Sequence, residues 1–397
     1  MKKMLMTFAA AMVLSGVATA SGEDDSVRLG VLLGFTGPAE SLAPGMAEGV
    51  ALAINEVNAS GNLFGGVSVD TLDADSTCTD TAAATAAAER LIITEGVDGV
   101  IGGLCSSATI AALNNMAVPN GMVMISPSAT SPQLTSLRDD GLFFRVAPSD
   151  ARQGVVMAEV ILDRGISEVA VSYTDNHYGR GLADSFQRAF EAAGGEVTRV
   201  ATHGDIGADH TVEADPFGGV DGDALVVIGY DQGGPDIIRA ALDTGAFDTF
   251  VLPDAMVSPA MMEAFGTELD GSFGQIPGTD SEGVDIYTRL ADGAGFDGAS
   301  AYSGESYDAA AVMLLAMQAA GSRAPADYAR HVIEVTNAPG TPILPGELGR
   351  ALELLAAGED IDYIGATNVE MVEPGEVPGS YREFIINNGE YSTVRFR

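Results

Sequence analysis

Runs of strand-forming residues alternate with stretches of helical spacing along most of this chain, and that alternation restricts the possible folds more than any other property. Residues 27–33, Val-Arg-Leu-Gly-Val-Leu-Leu, read as a strand stopped by Gly34-Phe35-Thr36-Gly37-Pro38. Residues 45–58 then carry Met46, Val50, Ala53, Ile54 and Val57 at helical spacing. The order repeats with a strand over 67–72, an alanine-rich helix over 81–95, a strand over 99–101, a helix over 107–118 and a strand over 122–125. Strands that each lead into a helix pair in parallel, with helices on both faces of the sheet.

A second series follows: helix 154–164, strand 168–173, helix 179–193, strands 197–202 and 224–229, helix 234–244 and strand 249–252. Residues 143–148 are expected to cross between the two series, and 273–276 to form a strand returning toward the first. Helices are expected over 306–320 and 328–335. Strands over 381–386 and 391–396 form a hairpin turning at Asn388-Gly389, a pair suited to the left-handed turn positions. The reading is an α/β chain of two lobes, the first from 27–147 plus 275–378 and the second from 148–274 plus 379–397. Several crossings make a hinge, and a ligand cleft lies outside the carboxyl ends of both sheets.

Met1-Lys2-Lys3, an apolar stretch to Val17 and then Ala18-Thr19-Ala20 read as a cleavable secretory signal over residues 1–20. No cysteine follows Ala20, so a soluble exported protein is expected rather than a lipoprotein, and residues 309–320 suit a buried helix better than a membrane span. Export permits a disulfide between Cys78 and Cys105, the only two cysteines, worth roughly 3 to 4 kcal/mol on the chain-entropy model; two free buried thiols are the alternative. The net charge is -37, and two units more negative without Lys2 and Lys3, the only lysines. Such a surface repels nucleic acid and anionic lipid. Asp73, Asp75 and Asp80, or Asp221 and Asp223, lack the alternating spacing and closing glutamate of a calcium loop, so no metal or other cofactor is expected.

Polar residues cluster where the predicted strands end. Ser106 and Ser107 follow the third strand, with backbone N–H groups and hydroxyls open to a carboxylate; a helix cap is the plainer reading of either one. Ser128 and Thr130 flank Ala129 after the fourth strand. In the second series the exits carry Tyr178, Tyr230 and Asp254, a set able to enclose an apolar group and neutralise an ammonium. The histidines His177, His203, His210 and His331 show no metal-ligand spacing, and His177 suits a cleft rim. No nucleophile elbow, Walker loop or dinucleotide fingerprint is present, and the chain is not expected to be an enzyme.

Leu104-Cys105-Ser106-Ser107-Ala108-Thr109 with upstream Cys78, and Ile125-Ser126-Pro127-Ser128-Ala129-Thr130-Ser131-Pro132, are the segments by which the chain resembles the periplasmic branched-chain amino-acid-binding proteins. Tyr178-Gly179-Arg180-Gly181 and Gly34-Phe35-Thr36-Gly37-Pro38 add to the likeness. The resemblance implies two Rossmann-like lobes of the type I periplasmic binding protein fold and a periplasmic location. It implies an amino-acid ligand, delivery to an inner-membrane ABC permease, and action as a monomer. It also implies that Ser106 holds the ligand carboxylate, Ser128 contributes backbone, Thr130 binds by its hydroxyl, and Tyr178 and Tyr230 close from the other lobe. Asp254 would pair with the ammonium where the family often has glutamate, and Tyr302 would line the side-chain pocket. Ser41-Leu42 stand where the family can have an aromatic, which leaves side-chain specificity open. The alternatives are a receptor for another small polar solute (an amide, urea or an aromatic acid), a sensory ligand domain, or an exported hydrolase.

Overall fold

The computed structural model describes residues 26–204, 219 and 222–397, so the leader, His210 and Asp221 lie outside the described residues. Its first sheet has the order β2-β1-β3-β4-β5, all parallel: β1 (Val27–Leu33), β2 (Val69–Asp75), β3 (Gly99–Gly102), β4 (Met124–Ser126) and β5 (Phe143–Arg145). Helices Ala43–Ser60 and Thr81–Glu89 follow β1 and β2, and the helix that opens at Ser106 follows β3. Because β1, β3 and β4 are covered on both faces, they carry almost uninterrupted apolar runs, and β3 and β4 are buried throughout.

The second sheet has the order β14-β13-β10-β9-β8-β6-β7, built from β6 (Glu168–Thr174), β7 (Glu196–His203), β8 (Ala224–Ile228), β9 (Phe250–Leu252), β10 (Phe273–Pro277), β13 (Tyr381–Asn387) and β14 (Glu390–Phe396). Strands β6 to β10 are parallel, and the terminal hairpin joins β10 antiparallel. Its turn is Asn388-Gly389, both at positive φ, as the sequence pattern required. A small parallel pair, β11 (Thr341–Ile343) with β12 (Ile361–Tyr363), was not expected.

Three sequence expectations are corrected. Residues 143–148 are not all crossover: Phe143–Arg145 is the edge strand of the first sheet, too short at 3 residues to show a period, and the crossing follows it. The strand at Phe273–Pro277 pairs with β9 in the second sheet, so the expected lobe switch at 275 falls inside a strand and the chain leaves that sheet only after Pro277. The helix over 328–335 is two short turns, Pro325–Tyr328 and His331–Glu334. Helix Ser303–Ala320 packs against helix Ala43–Ser60 and is buried from Ser303 to Gln318, which explains its lack of a polar face. Among the described residues no helix is long and apolar enough to cross a membrane.

Candidate functional site

In both sheets the strand order reverses direction beside the first strand of the series, between β1 and β3 and between β6 and β8. Loops leaving the sheet on opposite sides of such a point open a crevice at the carboxyl ends of the strands. All seven residues singled out by the sequence, Ser106, Ser128, Thr130, Tyr178, Tyr230, Asp254 and Tyr302, line one cavity there, together with Leu42 and Leu104. Its volume is about 20 Å³, room for roughly one water. The walls therefore meet, and a larger guest requires them to part.

The first wall is neutral. Cys105 occupies the cap position of the helix that opens at Ser106 without a side-chain bond to it, and the Cys78–Cys105 disulfide ties this strand exit to the loop after β2 across a Cα–Cα distance of 5.0 Å. Ser106 is the first residue inside the helix rather than its cap, and its Oγ accepts from the Ser131 N–H at 3.1 Å. Ser128 donates its hydroxyl to the Leu104 carbonyl at 2.9 Å, and Ser126 donates to Gly103 at 2.8 Å. Beneath them Arg145, buried at the end of β5, donates to the carbonyls of Ala129 and Ser131 at 3.1 and 3.0 Å and pairs with Glu376. Of the carboxylates that the sequence spacing set aside as a calcium loop, Asp75 accepts from Thr36 and Thr77 in the same region, and Asp80 caps helix Thr81–Glu89.

The second wall is charged and aromatic. Asn176 caps helix His177–Ala192 through the N–H groups of Tyr178 and Gly179, which turns the Tyr178 ring inward against Tyr230 with centroids 5.3 Å apart. Asp254 opens a short turn after β9 and is 1% exposed. Its Oδ1 accepts from the Tyr178 hydroxyl at 2.9 Å and from Gln153 Nε2 at 2.8 Å, and its Oδ2 accepts from the Tyr302 hydroxyl. Burial, and then the charge of Asp254, push both tyrosine hydroxyls well above their usual pKa. Tyr302 reaches this point from the first-sheet side, on a left-handed backbone, φ 62°, at the start of helix Ser303–Ala320. An aromatic side chain holds that conformation at a cost of order 1–3 kcal/mol, which its surroundings must offset.

Direct contacts join the walls. His177, exposed at the rim as expected, donates its backbone N–H to Ser107 Oγ at 3.3 Å and accepts from Ser131 Oγ at 3.0 Å. Ser41 donates to Asp231, which also accepts from Ser258. Gly181 sits so close to the opposite loop that a Cβ there would lie 2.7 Å from Pro132 Cδ.

The sequence profile of the periplasmic binding proteins matches residues 26–350 of this chain. The chain belongs to that family. The chemotactic signal transduction system substrate-binding protein BasB of Halobacterium salinarum is 27% identical over 374 residues, covering 87% of this chain and 83% of BasB. The Leu/Ile/Val-binding protein homolog 1 of Brucella suis is 29% identical over 326 residues, 78% of this chain and 82% of the relative. Among solved structures, the branched-chain amino acid transporter substrate binding protein LivJ of Streptococcus pneumoniae, in complex with isoleucine, superposes with a TM-score of 0.77 at 20% identity, covering 93% of this chain and 99% of LivJ.

Sequence reasoning missed one part of this periplasmic binding protein. Asp150, at the start of helix Asp150–Leu162, is fully buried, and neither carboxylate oxygen finds a hydrogen-bond partner among the described residues; the same holds for Gln153 Oε1 and the Tyr381 hydroxyl. Burial, then the charge of Asp254, push the Asp150 carboxyl well above its usual range; the Thr130 hydroxyl and Arg145 pull it down from positions outside good hydrogen-bonding geometry. Asp150 reads from sequence as an ordinary acidic first-turn residue after the Ser149 cap. Only the packing around it makes it unusual.

Proposed function

We propose that this protein is the solute-binding component of an ABC importer and that it captures an amino acid, branched-chain by preference, between two lobes. The observation that carries the proposal is the convergence of hydroxyl-bearing exits from one sheet and an Asp-Tyr-Tyr set from the other on a single cavity. Ser106, Thr130 and the backbone beside Ser128 take the carboxylate, and Asp254 takes the ammonium. Asp150, unpartnered and electrostatically linked to Asp254, shares that positive charge. Tyr178, Tyr230, Tyr302, Leu42 and Leu104 enclose the side chain. The protein binds without turnover, in the periplasm after removal of residues 1–20, as a monomer that hands its ligand to an inner-membrane permease. Opening admits the ligand, and contacts from both walls then favour the closed form.

A thermal-shift series tests this. Leucine, isoleucine or valine should raise the melting temperature, since a ligand at 100 times its Kd adds about 2.7 kcal/mol, and Asp254→Ala or Ser106→Ala should remove the shift. If no amino acid in a broad panel stabilises the protein, the ligand assignment fails. The likeness to BasB favours one second reading, delivery of the same ligand to a membrane chemoreceptor instead of a permease. Binding of the loaded protein to reconstituted permease or to chemoreceptor ectodomain separates the two.

A further inference from the structure

A second cavity, of about 390 Å³, lies at the edge of the cleft and shares only Leu42 with the site above. Its size falls in the range of small-molecule sites. The apolar surface comes from Leu42 on the first-sheet side and from Val257, Pro259, Met262 and Ile276 on the second-sheet side. Arg382 of β13 closes it, directly opposite Ile276 in the antiparallel pair with β10.

The surroundings of Arg382 differ sharply from those of the next residue. Glu383 points to the other face of the sheet and gathers Arg164, Arg395 and Arg397. The guanidinium of Arg382, half-buried, makes no ion pair or hydrogen bond with any described residue. Glu305 and Asp297 act on it only through their fields, and burial pulls its pKa down. Asp297 is exposed at the rim and accepts from the Ala299 N–H at 2.9 Å. A half-buried guanidinium with its donors unused, set beside an apolar wall, matches a planar oxyanion attached to an apolar body.

We propose that this crevice is a second small-molecule site, for an apolar monocarboxylate whose carboxylate pairs with Arg382 and whose body lies on Leu42, Val257 and Met262. It adjoins the amino-acid site at Leu42, but the proposal does not depend on which ligand that site takes.

Titration of the whole protein with phenylacetate, followed by methyl NMR or calorimetry, tests it. Saturable binding with a Kd of about 1 mM or tighter is expected for a ligand of this size. The neutral isostere phenylacetamide and the variant Arg382→Gln should each weaken binding about tenfold or more. Val257→Trp, which fills the crevice and keeps the arginine, should abolish binding, while Ser106→Ala should leave it unchanged. Absence of saturable binding in the millimolar range overturns the proposal. So does affinity that is indifferent to both Arg382→Gln and Val257→Trp, or binding lost in Ser106→Ala, which would place phenylacetate in the main cleft.

Discussion

The two walls of the cleft are built on the same strand-exit plan and yet satisfy their polar groups in opposite ways. On the first, Ser106, Ser126 and Ser128 use their hydroxyls on backbone groups of the neighbouring strand-exit loop, with Arg145 beneath and a disulfide alongside. On the second, Tyr178 and Gln153 donate to Asp254, Tyr302 reaches it from the first-sheet side, and the Asp150 carboxylate has no partner among the described residues. A wall of neutral groups bonded to their own backbone holds its shape in the open and closed states alike. A wall of buried charge is complete only when something positive, or the opposite side of the cleft, reaches it. On the proposed function, the first wall offers the ligand carboxylate a surface that is already ordered, and the second gains from the ligand the positive partner its buried carboxylates lack.

That contrast can be broken by variants that separate stability from affinity. Replacing both cysteines by serine should lower unfolding free energy by about 3 to 4 kcal/mol in denaturant titrations while changing ligand affinity at low temperature only slightly. A large loss of affinity at unchanged stability would refute the bracing role. Acid should act on the second sheet. Among the described residues His203, at the end of β7, shares a hydrogen bond with Ser172 through Nδ1, and burial lowers its pKa to about 4. The unfolded chain takes up that proton near pH 6.5 and the folded one does not, so stability is full above 6.5 and falls toward pH 4 by about 3 kcal/mol. His203→Gln should flatten that limb of the stability–pH curve.

Asp150→Asn should give the opposite pattern to the cysteine variants. The folded-state pKa of Asp150 is raised, so its ionised form costs stability as pH rises above the unfolded value. The variant should melt higher than the wild type at pH 7 without ligand and bind an amino acid about tenfold more weakly; a lower melting point together with unchanged affinity would make Asp150 a purely structural residue. The smallest effect concerns the fit between the walls. Gly181→Val collides with Pro132 and biases the protein open, so affinity should fall by about three- to tenfold and small-angle scattering should show a wider ligand-bound form.

The elements most legible in the sequence were those with a strong local reason to form: β1, whose bounds were read without error, helix Gly234–Thr244, and the Asn388-Gly389 hairpin. Residues 143–145 escaped because a 3-residue edge strand carries no periodicity, and β10 was assigned to the wrong neighbour because sheet membership is a non-local property. The candidate site divides along the same line. Residues at strand exits can be proposed from chain order, since parallel sheets place those exits on one side. Arg145, Gln153 and Asp150 could not be, because each is ordinary in its own segment and acquires its role only from atoms distant in the chain.

By itself, then, the sequence determined the alternating elements, the parallel strands of both sheets and the loops that face a cleft, because period, turn chemistry and strand-to-helix order act over a few residues. Tertiary structure alone decided that the two walls close on about 20 Å³, that Tyr302 reaches Asp254, and that the Asp150 carboxylate and the Arg382 guanidinium find no partner among the described residues. Burial and charge balance are summed over neighbours that meet only when the chain has folded.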